Sequence, residues 1–318
     1  MIKPTLSVII ISYNTKKLTL DCLRSVFADK GLSFNLKKPK SNSTIPTEII
    51  VVDNASSDNS ASALKKIKKI RLIENQKNVG FALANNQAYK IAQGNFILLL
   101  NSDTLILHSG ISQSLNWLSS HPEASVCTAQ LLNNDKSIQS SGGFFPNLLN
   151  VFTWSFGLDD LPLINQIVPP LHPHPPQFYT HDKFYLKDHP QDWITGAYML
   201  IRKSALSLSG LFDEDYFMYG EEVELSYRIK QNHPQTQTWY LIGPQIIHFG
   251  GASAKSKVDP ILNEYRGILS FFKKHRPKYQ YQLVKIILKI NACLRALFYL
   301  LTLKPKSFKI YQQVCSQF

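Results

Sequence analysis

Asp53, Asp103, the pair Glu221 and Glu222, and His248 are the residues of this 318-residue chain whose types and settings suit chemistry. Asp53 ends the run EIIVVD and Asp103 the run FILLLNSD. A carboxylate delivered to the carboxyl end of a buried strand arrives where open α/β sheets bind their ligands. Hard divalent ions such as Mg2+ and Mn2+ take oxygen ligands and tolerate an imidazole, and their usual companion is a diphosphate. Asp53 can instead accept hydrogen bonds from a nucleobase or ribose, and a carboxylate left in the pocket can take a proton from an attacking hydroxyl. Each position also has a plainer reading. Asp103 can N-cap a following helix, and Glu221, Glu222 and Glu224 in one first turn are favourable against the helix dipole alone.

The elements that must carry these residues read as alternating strands and helices. Residues 94–104, GNFILLLNSDT, place five apolar residues between a Gly-Asn turn and a polar cluster, the pattern of a central strand covered on both faces. Before it come a strand over 6–12, a helix to about 28, an exposed Ser-, Lys- and Pro-containing loop over 31–47, a strand over 48–52, a lysine-rich helix and a short strand over 70–74. Asn78-Val79-Gly80-Phe81 then opens a helix whose Ala82, Asn85, Asn86 and Ala88 form a face that cannot all be core. This series predicts a parallel, doubly wound sheet. Further on, the pattern predicts a helix over 109–120, a strand over 125–131, and a strand over 193–201 that Gly196 interrupts for a bulge or a close ligand. An acidic aromatic loop over 211–219, a helix from 221, a strand near 238–242, the segment 246–251 and basic helices from about 258 follow, the last over 281–303.

Charged residues are 18% and hydrophobic ones 44%, a globular balance, while the formal charge of +13 asks for an anionic partner. The lysines scatter over loops and the tail without interleaved aromatic residues, which argues against nucleic acid. Cys22, Cys127, Cys293 and Cys315 form no CxxC pair, so they read as buried or incidental thiols of a reducing compartment rather than a disulfide framework or zinc site. His172, His174, His181 and His189 lie in a stretch so broken by proline that it reads as surface loop rather than metal site. The N-terminus reads as a first strand, not a signal peptide. GxGxxG and GxxxxGK[ST] are both missing, which disfavours a dehydrogenase-type dinucleotide fold and a P-loop. In the last helix Lys285 and Lys289 interrupt any bilayer-length apolar run. Its wide apolar face with a basic edge fits a membrane interface, or packing on the rest of the chain or on a second subunit.

Six blocks in order, LSVIIISYN, EIIVVDNASSDNS, NQKNVGFALANN, GNFILLLNSDT, FDEDYFMYGEEVELSYR and HFGGAS, resemble the family 2 glycosyltransferases of the GT-A fold over about residues 5–255, particularly the rhamnosyltransferase-like branch. The resemblance implies a GT-A domain over 1–257, with a donor-binding half over about 1–105 and an acceptor half over about 106–257; the residues after it read as a basic amphipathic helical tail over 258–318. It implies that Asp53 contacts the base of a nucleotide-sugar, with Ser12, Tyr13 and Asn14 in the same pocket and Asn78, Gly80 and Asn85 near ribose and diphosphate. Ser102, Trp193 and Gly196 are expected on the same substrate-binding surface. Asp103 matches the last acidic residue of the family's DxD motif, whose first acidic position is Asn101 here, and His248 matches a histidine that helps to hold the metal or diphosphate. Glu222 lies where the family has the aspartate of its ED pair, the general base, and Glu221 stands beside it; GEEVEL replaces the usual GEDVDL.

The resemblance therefore implies an inverting transfer of a sugar, rhamnose among the options, to a hydroxyl of a glycan or lipid-linked acceptor in cell-surface polysaccharide synthesis, with Mg2+ or Mn2+ as cofactor. The expected setting is the cytoplasm, on the inner face of the cell membrane through the C-terminal helix. The Glu-for-Asp changes motivate one alternative, a catalytically impaired protein that binds nucleotide-sugar or glycan.

Overall fold

The computed structural model describes residues 2–37, 41, 43–161, 163–177, 183–250 and 258–317. The first half of the chain alternates β1 (Leu6–Ser12), α1 (Lys16–Phe27), β2 (Leu32–Ser33), β3 (Ile45–Asp53), α2 (Ser60–Leu64), β4 (Arg71–Glu74), α3 (Phe81–Ile91) and β5 (Phe96–Asn101). Then come β6 (Thr104–Leu107), α4 (Gly110–Ser120), β7 (Ala124–Leu132), β8 (Gly142–Gly143), α5 (Leu148–Ser155), α6 (Ile164–Ile167), β9 (His189–Gln191), β10 (Trp193–Ile194) and β11 (Tyr198–Arg202). The rest is α7 (Leu206–Ser209), α8 (Glu221–Asn232), β12 (Gln237–His248), α9 (Val258–His275), α10 (Lys278–Leu301) and α11 (Pro305–Gln317).

The main sheet runs β2-β3-β1-β5-β11-β7-β12-β6, with β4 on β3 and β9 on β12. Strands β1, β3, β4 and β5 are mutually parallel, as the alternating pattern predicts. The second half is mixed: β11 enters antiparallel between β5 and β7, and β6 is antiparallel to β12. Pleating explains the near-continuous apolar runs, because alternate side chains serve two different layers. Leu6, Val8 and Ile10 of β1 share one cluster with Cys22, Leu23 and Val26 of α1 and Ile111, Leu115 and Leu118 of α4. Ile9 faces the other way, into a cluster with Ala82, Ala84 and Ala88 of α3 and Leu225 and Ile229 of α8.

The local expectations need correction at several points. The face of α3 read as partly exposed is buried throughout, Asn85 and Asn86 included. Residues 193–201 form two strands, because the turn at 195–197 takes β11 into the main sheet while β10 pairs with β8. The piece at 238–242 and residues 246–248 of the segment 246–251 belong to one strand, β12, whose register shifts between Leu241 and Gln245. The loop expected over 31–47 contributes β2 and the start of β3. The last helix expected ends at Leu301, and α11 follows it. Of the four cysteines, Cys22 and Cys127 are buried thiols, but Cys293 and Cys315 are disulfide-bonded, against the reading of all four as free. His181 and residues 251–253 of the HFGGAS block lie outside the described residues.

Contacts divide the chain into two compact units. The first comprises 1–142, 174–217 and 222–253 and holds the main sheet. The second comprises 143–173, 218–221 and 254–318 and is helical. Its helix α5 starts in a capping box in which the Asn147 side chain accepts from Leu149 N and Asn150 N. Asn291 of α10 donates to Ser155 O and accepts from the Tyr265 hydroxyl, so two helices and the end of α5 share one buried polar node. Among the described residues no helix is long and apolar enough to cross a membrane.

Candidate active site

Parallel pairing brings the carboxyl ends of β1, β3 and β5 to one rim. In register, Ser12 stands opposite Asp53, and Ile11 opposite Asn101. Asp53 is buried; its Oδ2 accepts from Ser56 N at 3.0 Å, while Oδ1 has no hydrogen-bond partner among the described residues. A buried acceptor left unpaired costs about 1–3 kcal/mol, so this atom suits a donor group brought by a ligand. The loops after β1 and β3 are laced together around it. Asn14, at φ 54°, accepts from Ser57 N at 2.7 Å and donates its own N–H to Ser56 Oγ at 3.0 Å.

A chain of hydroxyls links this pocket to the loop after β5. Ser12 Oγ lies 2.9 Å from Thr19 Oγ1, Thr19 lies 3.1 Å from Thr15, and Thr15 lies 3.0 Å from Ser102 Oγ. Ser102 thus fixes the loop that carries Asp103. The element after Asp103 is strand β6, so the helix-cap reading of this aspartate fails. Pairing of β12 with β6 sets His248 opposite Thr104. His248 Nε2 then lies 3.4 Å from Asp103 Oδ1 and 3.4 Å from Asn101 Nδ2, and the same segment is tied by Phe249 N donating to Asp103 O at 3.0 Å. Among the described residues no cluster of three or more His, Cys, Asp or Glu forms a ready-made metal cage. One carboxylate facing one imidazole nevertheless fits a hard divalent ion that takes its other ligands from a diphosphate and water.

The opposite wall is built on α3. Gly80, at φ 87°, precedes it; Asn78 Oδ1 accepts from Gly80 N at 2.9 Å and from Asn54 Nδ2 at 2.8 Å. Asn85 turns inward and donates to Phe81 O at 2.9 Å. Asn86 clasps the acidic loop: it donates to Phe212 O at 2.8 Å and to Glu214 Oε1 at 3.1 Å, and accepts from Phe212 N at 3.0 Å. Phe81 N donates to Phe217 O at 2.9 Å, closing the loop's far end on the same helix. Gly196 abuts the Phe81 ring, which a Cβ there would approach to 3.3 Å. Trp193 is buried in β10, its carbonyl against Gly142, and Tyr13 is half-buried.

The loop leads into α8, where the three glutamates divide. Glu222 is half-buried, Glu221 is buried, and Glu224 is committed to Arg228, whose Nε donates to both of its oxygens at 2.8 Å. The same guanidinium donates to Ser209 O and, at 2.6 Å, to Leu211 O, which anchors the start of the loop. Asn54, Asn86, Gln139 and Arg228 were not among the site residues that sequence reasoning selects. Asn86 offered only its place beside Asn85, and Gln139, whose Oε1 lies 2.7 Å from His248 Nδ1, offered no local pattern.

The family model of Glycosyl transferase family 2 matches residues 7–206. An N-acetylglucosaminyl-diphospho-decaprenol L-rhamnosyltransferase of Mycobacterium tuberculosis is 25% identical over 200 residues, covering 58% of this chain and 61% of that protein. Rhamnosyltransferase WbbL of Escherichia coli is 29% identical over 158 residues, 47% of this chain and 54% of its own. The chain therefore matches no more than 61% of the length of either relative. Mannosyltransferase PcManGT of Pyrobaculum calidifontis, solved with GDP-Man and Mn2+, is similar with a TM-score of 0.52 at 15% identity, over 98% of this chain and 74% of that one. GalNAc-T7, solved with UDP, GalNAc and Mn2+, gives 0.53 at 16% identity over 84% and 48%. At these identities the likeness is one of fold, the GT-A type. With the family model spanning well over half of the sequence, the chain belongs to glycosyl transferase family 2.

Proposed function

We propose that the chain is an inverting glycosyltransferase that moves a sugar, rhamnose first among the options, from a nucleotide-sugar to a hydroxyl of a glycan or lipid-linked acceptor in cell-surface polysaccharide synthesis. The observation that carries this reading is the shared rim: the open Oδ1 of Asp53 at one end and the Asp103–His248 pair at the other, joined by the Ser12–Thr19–Thr15–Ser102 hydroxyls. Asp53 would take a base or ribose donor group, and Asn78 and Gly80 would border the diphosphate. Asp103 and His248 would hold Mg2+ or Mn2+, which when bound neutralises the charge that collects on the departing diphosphate. Glu222 removes the acceptor proton, the freed oxygen attacks the anomeric carbon, and the nucleoside diphosphate leaves with the bonding electrons on the opposite face. A diphosphate leaves without an acid, so one carboxylate suffices as base. The test is donor turnover with acceptor present: Glu222→Gln should lose about 100-fold to 10,000-fold in kcat while still binding nucleoside diphosphate. Equal turnover by wild type and Glu222→Gln would remove Glu222 as the base.

The same reading extends to the membrane. Leu283, Ile286, Ile290, Leu294, Leu297 and Leu301 are all exposed on α10, at helical spacings of three and four. Lys289 lies at the edge of this stripe, next to Ile286 and Ile290, in a chain of formal charge +13. An exposed apolar stripe on a basic chain suits an anionic interface, and a lipid-linked acceptor would be met there. Flotation with phosphatidylglycerol vesicles should recover the wild type and fail for Ile290→Glu/Leu294→Glu; equal recovery of both would exclude α10 as the contact.

A further inference from the structure

Gln139 lies outside all six sequence blocks, on the return arm of a tight hairpin that follows β7. Asn133 N donates to Ser137 O at 2.8 Å, Leu132 bridges Ile138, and Gln139 N donates to Leu131 O at 2.8 Å. Its backbone is therefore fixed by the sheet, and its side chain reaches across to β12.

The hydrogen bonds that follow run in one direction only, because they end on a carboxylate. Asp135 Oδ1 accepts from Ser137 Oγ at 2.6 Å. Having donated its proton, Ser137 Oγ accepts from Asn133 Nδ2 at 2.9 Å. That orients the Asn133 amide, whose Oδ1 accepts from Gln139 Nε2 at 3.0 Å. Gln139 Oε1 is left facing His248 Nδ1 at 2.7 Å, and it can only accept. The proton must then sit on Nδ1. In the neutral ring the lone pair is then on Nε2, which lies toward Asp103 and Asn101, each 3.4 Å away.

We propose that Gln139 is a positioning residue, which with Asn133 and Ser137 behind it holds His248 in the Nδ1–H tautomer and so keeps Nε2 as the ligating atom. This rests on the proposed function in one respect, that His248 faces the divalent ion or diphosphate. Partners behind a metal-bound imidazole fix both its tautomer and its ring plane, and losing them typically costs 10–100-fold in metal affinity.

The tautomer is read directly from long-range proton–nitrogen correlation spectra of histidine-labelled protein at pH 8.5, with the His248 signals identified by their loss in His248→Gln. Wild type should show the Nδ1–H pattern. Gln139→Leu should shift toward the Nε2–H pattern and bind Mn2+ about 10–100-fold more weakly by electron paramagnetic resonance titration. Gln139→Glu, which keeps an acceptor oxygen, should retain the Nδ1–H pattern and most of the affinity. An Nε2–H pattern in wild type overturns the proposal whether or not the leucine variant folds, and so does an unchanged tautomer or Mn2+ affinity in folded Gln139→Leu. A folded wild type that transfers no sugar would instead sink the proposed function and leave the tautomer result standing.

Discussion

Gly80 shows how narrowly single residues are set at this rim. A Cβ there would stand 2.8 Å from both the carbonyl oxygen and the ring of Phe217, at a φ of 87° that already disfavours a side chain. Gly80→Ala must strain the turn or push Phe217 away, at a cost of order 1–3 kcal/mol. The expected outcome is a lower urea midpoint together with weaker nucleoside diphosphate binding, and an unchanged midpoint would show that the loop yields freely. His189 offers a residue-scale test by pH. It is enclosed by Phe184, Tyr185 and Tyr240, and burial holds its imidazole below the ordinary 6.5 despite an Nδ1–H bond to Lys187 O. The unfolded chain takes up this proton at higher pH than the native one, so stability is full above about 6.5 and is lost as pH falls through the depressed value. Urea unfolding at pH 7.5 and pH 5 should show a smaller acid loss in His189→Phe than in wild type. Asp53, Asp103 and His248 were legible because each ends or borders an apolar run. Asn86 and Gln139 were not, since their partners lie 126 and 109 residues away and nothing local encodes such a pairing.

At the scale of elements, helix α8 carries more than a dipole-matched first turn. Glu224 and Arg228 form a buried i,i+4 pair, and the guanidinium also ties down two carbonyls at the entry to the loop before the helix. Removing one partner of such a pair typically costs about 3–5 kcal/mol, because the other charge is left uncompensated. Glu224→Gln and Arg228→Met should therefore each destabilise strongly, and the double variant should cost less than their sum by about 0.5–3 kcal/mol. Strict additivity in chemical denaturation would mean the two side chains act independently. The sequence suggested charge against the dipole here because a run of glutamates looks the same whether it is solvated or paired. Strand β12 was read as two pieces for a similar reason. Gly243-Pro244 is a strong local break signal, but the register shift between Leu241 and Gln245 absorbs it and the ladder continues. The parallel strands β1 and β5 had no such interruption, and β3 was legible only from Glu48 onward, past the break signal of Pro46.

For the whole molecule, the helical unit depends on a closure that spacing alone concealed. Cys293 and Cys315 lie equally far on either side of Lys304, in the turn between α10 and α11, so folding that pair of helices back on one another brings the sulfurs together. Helix α11 was the missing step. Pro305 at its first position is a recognised start signal, but the polar balance of the segment PKSFKIYQQVCSQ hid the helix behind it. A bridge spanning 22 residues restricts the unfolded chain by about 3 kcal/mol on the chain-entropy account. The two remaining thiols are of another kind: burial pushes Cys22 up to about 12 and drives Cys127 upward as well, so both stay neutral and unreactive while folded. Thiol titration of the oxidised chain should thus find none accessible in the native state and Cys22 and Cys127 alone in denaturant. Reductant should add Cys293 and Cys315 and lower the unfolding midpoint. Cys293→Ser should start at that lower midpoint and ignore reductant, whereas an equal shift in the variant and wild type would place the reductant's action somewhere other than the α10–α11 bridge.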